Sequence, residues 1–172
     1  MALSMFTASV PPCLQVIGAL GGVLGKAVAH CEAHRVDPAV LLASRLNPTM
    51  FPLVRQVQVV TDFARGGCAR LAGVAVPSTP DTEASFAELQ ARLDATVAFI
   101  ETVTPGQIDG SEERELAVRI AGREVTFQGQ PYLLQFVLPN LYFHAAMAYA
   151  ILRHNGVLLG KRDFLGSVAG LG

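Results

Sequence analysis

Four histidines are the side chains best suited to chemistry at neutral pH in this 172-residue chain, since imidazole alone titrates there without perturbation. His30 and His34 stand four apart on one predicted helix, so they share a face on which two imidazoles can approach one metal ion. No acidic partner accompanies the pair, and two imidazoles in a last helical turn equally complement the helix dipole. His144 lies in the most apolar segment, with Asn140 one turn before it. A buried imidazole needs a hydrogen-bond partner, which Asn140 or Gln135 can supply. Two roles stay open for His144: a satisfied core histidine, or a residue lining a cavity between facing helices, where bundles build ligand and metal sites. His154, beside Asn155-Gly156, reads as a helix C-terminal interaction. Tyr142 and Tyr149 are seven apart, a spacing that suits packing. Cys13, Cys31 and Cys68 form an odd set without a CxxC pair, which argues for buried, reduced thiols and against a disulfide framework or structural zinc. No GxSxG, GxGxxG, P-loop or HExxH motif occurs, which removes the common hydrolase, dinucleotide, NTPase and metalloprotease signatures.

These side chains must be positioned by helices. Leu14, Ile17, Gly21, Leu24, Val28 and Cys31 recur at alternating spacings of three and four behind Pro11-Pro12, which predicts a first helix starting near those prolines. Asp37-Pro38 opens a short helix to about Leu46. A long helix follows from about Phe51, with Leu53, Val57, Val60, Ala64, Gly67 and Leu71 on one face and Gly73 as its stop. Thr79-Pro80-Asp81 supplies start signals for the next, whose stripe is Phe86, Leu89, Leu93, Val97 and Ile100, with Glu88, Arg92 and Asp94 outside it. Thr104-Pro105-Gly106 ends that helix. Leu116, Val118 and Ile120, then Val125 and Phe127, alternate with polar or small residues about Gly122, which predicts a β-hairpin. A lone hairpin is marginal in water, so it must lie on the bundle or pair with another chain. The last helix runs from about Pro131 to Asn155-Gly156, kinked or split by Pro139. The expected fold is all-α: one antiparallel four-helix bundle over residues 1–172, with a short extra helix and a small hairpin before the last helix.

Composition narrows the class of function. With 51% hydrophobic and 16% charged residues and a mean hydropathy of +0.41, the chain is no disordered segment. A formal net charge of −1 gives no attraction for phosphates, so nucleic acid is not an expected partner. Tyr132–Leu152 is as long as a membrane span, but Gln135, Pro139, Asn140 and His144 are awkward in hydrocarbon, and a buried helix is the expectation. Leu14–Gly25 resembles a signal-peptide core, yet residues 1–13 lack Lys and Arg, and Lys26 and glycines interrupt the run. A cytoplasmic location without membrane contact is therefore expected.

Several stretches carry a family likeness: Asp37-Pro38-Ala39-Val40-Leu41-Leu42, Met50-Phe51-Pro52-Leu53-Val54-Arg55-Gln56-Val57-Gln58, Gln130-Pro131-Tyr132-Leu133-Leu134, the run from Phe143 through Leu152-Arg153-His154-Asn155-Gly156, and Gly160-Lys161-Arg162-Asp163. Over nearly the whole chain they resemble an uncharacterised family catalogued as domain of unknown function nineteen ninety-three, of the DinB/YfiT-like superfamily of metalloenzymes. That resemblance implies a four-helix bundle and a homodimer. It also implies a metal site of one histidine from the second bundle helix and two, four apart, from the last. His144 matches the second of that pair, and Asn140 stands at the first. Phe51–Arg70 holds no histidine, only Gln58 and Asp62 near the expected turn. Such amide ligands suit zinc or nickel poorly. The expected protein is a member without metal or cofactor that holds a small organic ligand through His144, Asn140, Gln58 and Gln135. A metal-dependent hydrolase or thiol S-transferase using His144, Asp62 and His30, and a structural dimerisation module, are the alternatives.

Overall fold

A computed structural model describes residues 3–168. The helices are α1 (Met5–His34), α2 (Pro38–Ala43), α3 (Leu53–Ala72), α4 (Phe86–Glu101), α5 (Pro105–Ile108), α6 (Gly129–Pro131), α7 (Leu138–His154) and α8 (Lys161–Leu165); β1 (Glu115–Ile120) and β2 (Arg123–Gln128) precede α6, and a π-helical turn, Tyr132–Val137, joins α6 to α7. The four long helices close on one core: α3 packs on α7 and α4, and α1 packs on the same two from the other side. This is the predicted helical bundle with its hairpin. The predicted face of α3 is buried throughout, with Leu53, Val57, Val60, Ala64 and Leu71 at 0% exposure.

The start of α1 corrects the proline-based reading. Ser4 and Thr7 form a reciprocal capping box, with Thr7 N donating to Ser4 Oγ at 3.2 Å and Ser4 N to Thr7 Oγ1 at 3.0 Å. Pro11 and Pro12 therefore lie inside the helix, where they remove two amide donors. The buried face combines two adjacent stripes, including Cys13, Ile17, Leu20, Leu24 and Ala27, while Val28 is exposed. Among the described residues α1, rather than Tyr132–Leu152, is the helix long and apolar enough to cross a membrane.

The other helix ends follow their local chemistry. Asp37 Oδ1 accepts from Ala39 N at 2.9 Å, and Gly73 ends α3 in a left-handed conformation (φ 71°). The predicted start of α4 at Thr79–Asp81 is too early: Ser85 and Glu88 form its capping box, and Thr104-Pro105 starts α5 as well as following α4. The hairpin turns on Ala121 and Gly122, both at positive φ (48° and 81°), the geometry of a two-residue turn whose twist suits the strands. Leu116 and Val118 bury one face of β1 on the bundle, whereas β2 is exposed apart from partly covered Phe127. Pro139 splits the last helix as expected. Upstream of it the chain adopts the wider register, with Leu138 N donating to Leu133 O. The tail packs on α1 through a Lys26–Asp163 ion pair of 2.6 Å and a Gln15 Nε2 to Leu165 O bond of 2.8 Å. Residues 169–172 of the glycine-rich tail lie outside the described residues.

Candidate functional site

His144 is held by a residue that the sequence reading passed over. Its Nδ1 stands 2.7 Å from Oε1 of Gln56, which is 1% exposed. Gln56 Nε2 donates to Phe51 O at 3.1 Å, so its amide orientation is fixed and Oε1 is left to accept. The proton of the neutral ring therefore sits on Nδ1, and Nε2 keeps a free lone pair. Burial, aided by the Arg55 charge, pushes the His144 pKa down and favours that neutral form. Phe51 and Phe63 stack on the ring at centroid distances of 6.4 and 6.1 Å, and Phe143 meets its edge at 5.1 Å. The arrangement presents one aligned hydrogen-bond acceptor in an aromatic frame.

The other expected ligand residues do not converge on it. Asn140 spends its amide on Phe136 O at 2.7 Å, serving the helix just after the π turn. Gln135 is exposed. Gln58 lies on the opposite side of α3, because two residues advance a helix by about 200°. There its Nε2 donates to Glu83 Oε2 at 2.8 Å, and its Oε1 accepts from Arg55 at 3.3 Å. Gln56, by contrast, continues a seam of Leu53, Gln56, Val60, Phe63 and Gly67 at alternating spacings of three and four. A polar residue in that seam was the signal that could have found it.

Gln58 belongs to a partly buried ion cluster, the second feature that sequence reasoning missed. Arg92, placed on the polar face of α4, has a side chain 1% exposed. It reaches Asp62 at 2.8 Å, Asp81 at 3.1 Å, Glu83 at 3.0 Å and Thr61 Oγ1 at 2.6 Å. Arg65 adds bonds to Asp62 at 3.0 Å and to Thr79, and Arg55 pairs with Asp81. Three guanidiniums thus balance three carboxylates and pin the loop before α4 to α3. Burial pushes the Asp62 carboxyl up against the pull of Arg92 and Arg65. Burial acts the same way on Glu83, but hydrogen bonds from Arg92 and Gln58 outweigh it and hold that carboxyl below its usual range.

A groove of about 360 Å³ opens between α3, the π turn and the end of β1. Phe63, Tyr132 and Phe136 form its apolar part, and Asp62, Arg70 and Arg119 stand on its lining. Phe63 meets Phe136 edge-on at 5.4 Å and stacks on His144, so the groove and the imidazole share a wall. Arg70 Nη1 donates to Tyr132 Oη at 3.2 Å, and burial pushes that hydroxyl's pKa up.

A metal ion fits this arrangement poorly. Among the described residues no three His, Cys, Asp or Glu side chains come together in a manner able to hold one. His30 and His34 stack on each other at 4.2 Å, with His34 Nδ1 against His30 O at 3.0 Å, and His30 lies beside Gly156. His30, Asp62 and His144 therefore occupy three separate environments. The three cysteines are buried and free, and hydrogen bonding to Cys68 together with burial pushes the Cys13 thiol up, away from nucleophilic thiolate character.

The helical bundle with its small hairpin is the fold of a DinB family protein. The chain superimposes on a DinB family member protein from Shewanella denitrificans with a TM-score of 0.88 and 35% identity, covering 95% of this chain and 93% of that one. It belongs to the family described as Domain of unknown function (DUF1993), whose model matches residues 5–165. None of the curated proteins matches it in sequence.

Proposed function

We propose that this DinB-like protein binds a small organic molecule without using a metal ion, in the groove beneath the hairpin and next to His144. The groove carries the reading: it is large enough for one ring-sized ligand, is walled by three aromatic side chains, and shares Phe63 with an imidazole whose Nε2 is free to accept a hydrogen bond. The donor set argues against a metal role, because the polar groups around His144 are amides already committed to other partners. We assign no reaction to it. The reading includes a cytoplasmic protein that needs neither nucleic acid nor a membrane.

Titration of the protein with phenylacetamide, a neutral ring probe, tests the groove. Chemical-shift changes confined to Phe63, Tyr132, Phe136 and the hairpin are expected. Retention of about one equivalent of zinc or nickel after gel filtration, or no ring binding at all, overturns the proposal. Self-association is a second reading, favoured by Phe51 and Phe143, which flank His144 at 50% and 52% exposure. It predicts a homodimer by light scattering that Phe143→Ser weakens.

A further inference from the structure

We propose that the ligand of this groove is a ring-bearing monocarboxylate, anchored by Arg70 and the Tyr132 hydroxyl. The inference rests on the groove being the ligand site and adds the chemical class. Arg70 is partly buried, yet among the described residues no carboxylate lies within ion-pairing distance of it. Its recorded partner is a neutral phenol, although a guanidinium carries five N–H donors. A partly buried guanidinium on a groove wall with no counter-charge leaves N–H donors for an anionic ligand, which would supply that charge.

The neighbouring charges fit the same reading. Asp62 is the carboxylate on the groove lining, and its Oδ1 is already taken by Arg65 and Arg92. Arg119 faces Glu124 across the hairpin ladder, with no ion pair formed, and it adds positive charge at the outer rim. Tyr132 accepts from Arg70, so its own O–H proton remains available to a carboxylate oxygen. A guanidinium and a phenolic proton side by side provide two donors for one carboxylate. Phe63 and Phe136 then give the ligand's ring an aromatic lining to pack on.

Gly66 supports the assignment from the backbone. A Cβ there would stand 2.6 Å from Arg70 Nη1, whereas its other contacts, Arg70 Cζ at 3.7 Å and Val76 Cγ1 at 4.0 Å, are ordinary. The absence of a side chain on Gly66 is what lets the guanidinium lie over the helix toward Tyr132. Gly66→Ala therefore moves Arg70 off its seat while leaving its charge in the protein.

The test compares phenylacetate with its isosteric neutral amide, phenylacetamide, by NMR titration at low ionic strength. The acid should bind about tenfold more tightly than the amide, the effect of one charge-assisted hydrogen bond. That preference should vanish in Arg70→Gln and shrink in Gly66→Ala, with amide binding retained in both. Equal binding of acid and amide by the native protein overturns the carboxylate inference and leaves the groove reading intact. Binding of neither overturns the groove reading itself. A preference for the acid that survives both substitutions shows that Arg70 is not the anchor. If Arg70→Gln does not fold, Gly66→Ala alone decides between these outcomes.

Discussion

Two adjacent glycines on α3 offer a sharp check of the packing described above. Gly66 and Gly67 sit mid-helix, so replacing either with alanine gains the same helix propensity, about 0.8 kcal/mol. Their surroundings differ. The Cβ of an alanine at position 66 meets only the mobile end of Arg70, and shifting it loses one exchangeable hydrogen bond of about 1 kcal/mol. At position 67 the Cβ would lie 2.7 Å from Val137 Cγ1, 3.3 Å from Cγ2 and 3.6 Å from Cβ. Val137 is 0% exposed, sits in the π turn and has a stiff χ1, so rotation cannot clear both methyls. Overpacking of this kind costs about 1–3 kcal/mol. Gly66→Ala should then stay within about 1 kcal/mol of the native protein, and Gly67→Ala should fall below Gly66→Ala by about 1 kcal/mol, and by at most about 2 kcal/mol. At roughly 3 °C per kcal/mol for a chain of this size, the two melting curves should separate by about 3 °C, and by at most about 6 °C. Differential scanning calorimetry of both variants reads this directly. If they melt together, close approach of the π turn to α3 does not require glycine at 67, and the reasoning fails.

Two further perturbations probe the polar interior. Arg92→Met removes the cation shared by Asp62, Asp81 and Glu83; Asp62 keeps Arg65 and Asp81 keeps Arg55, but the largely buried Glu83 loses its counter-charge, so a loss of about 2–3 kcal/mol is expected in urea denaturation. Limited proteolysis should at the same time reach the loop before α4, and a loss under 1 kcal/mol, about the worth of a surface pair, would show the cluster to be solvated. His144, with its pKa lowered in the fold, binds fewer protons there than in the unfolded chain. Its contribution is complete above the ordinary imidazole value of 6.5 and declines as the pH falls through it. The urea midpoint should accordingly fall more steeply with acidification in the native protein than in His144→Gln; parallel slopes would sink the description of a buried neutral ring.

Much of the fold was legible in the sequence because its signals are local. The stripe from Leu53 to Leu71, the cap at Asp37, the stop at Gly73 and the hairpin about Gly122 each depend on neighbours within a few positions. Where the reading slipped, a nearer competing signal had been passed over. Ser4 with Thr7 outweighs the prolines of α1, and Ser85 with Glu88 outweighs Thr79–Asp81. That His144 would have a hydrogen-bond partner was also visible, since an imidazole in the most apolar segment needs one.

The partner itself was a matter of tertiary structure. Gln56 and Gln58 are two residues apart and alike in chemistry, but the helix turns them to opposite sides, one toward α7 and the other toward the loop before α4. Arg92 shows the same dependence: on α4 alone it reads as a solvated charge, and it is buried only because Asp62, Asp81 and Glu83 arrive from α3 and the loop. The groove exists only where the hairpin lies against α3 and the π turn. Sequence determined which segments are helical and which faces are apolar, because those follow from periodicity along the chain. The pairing of buried polar groups is set by contacts across tens of residues, and only the packed bundle decides which acceptor meets which donor.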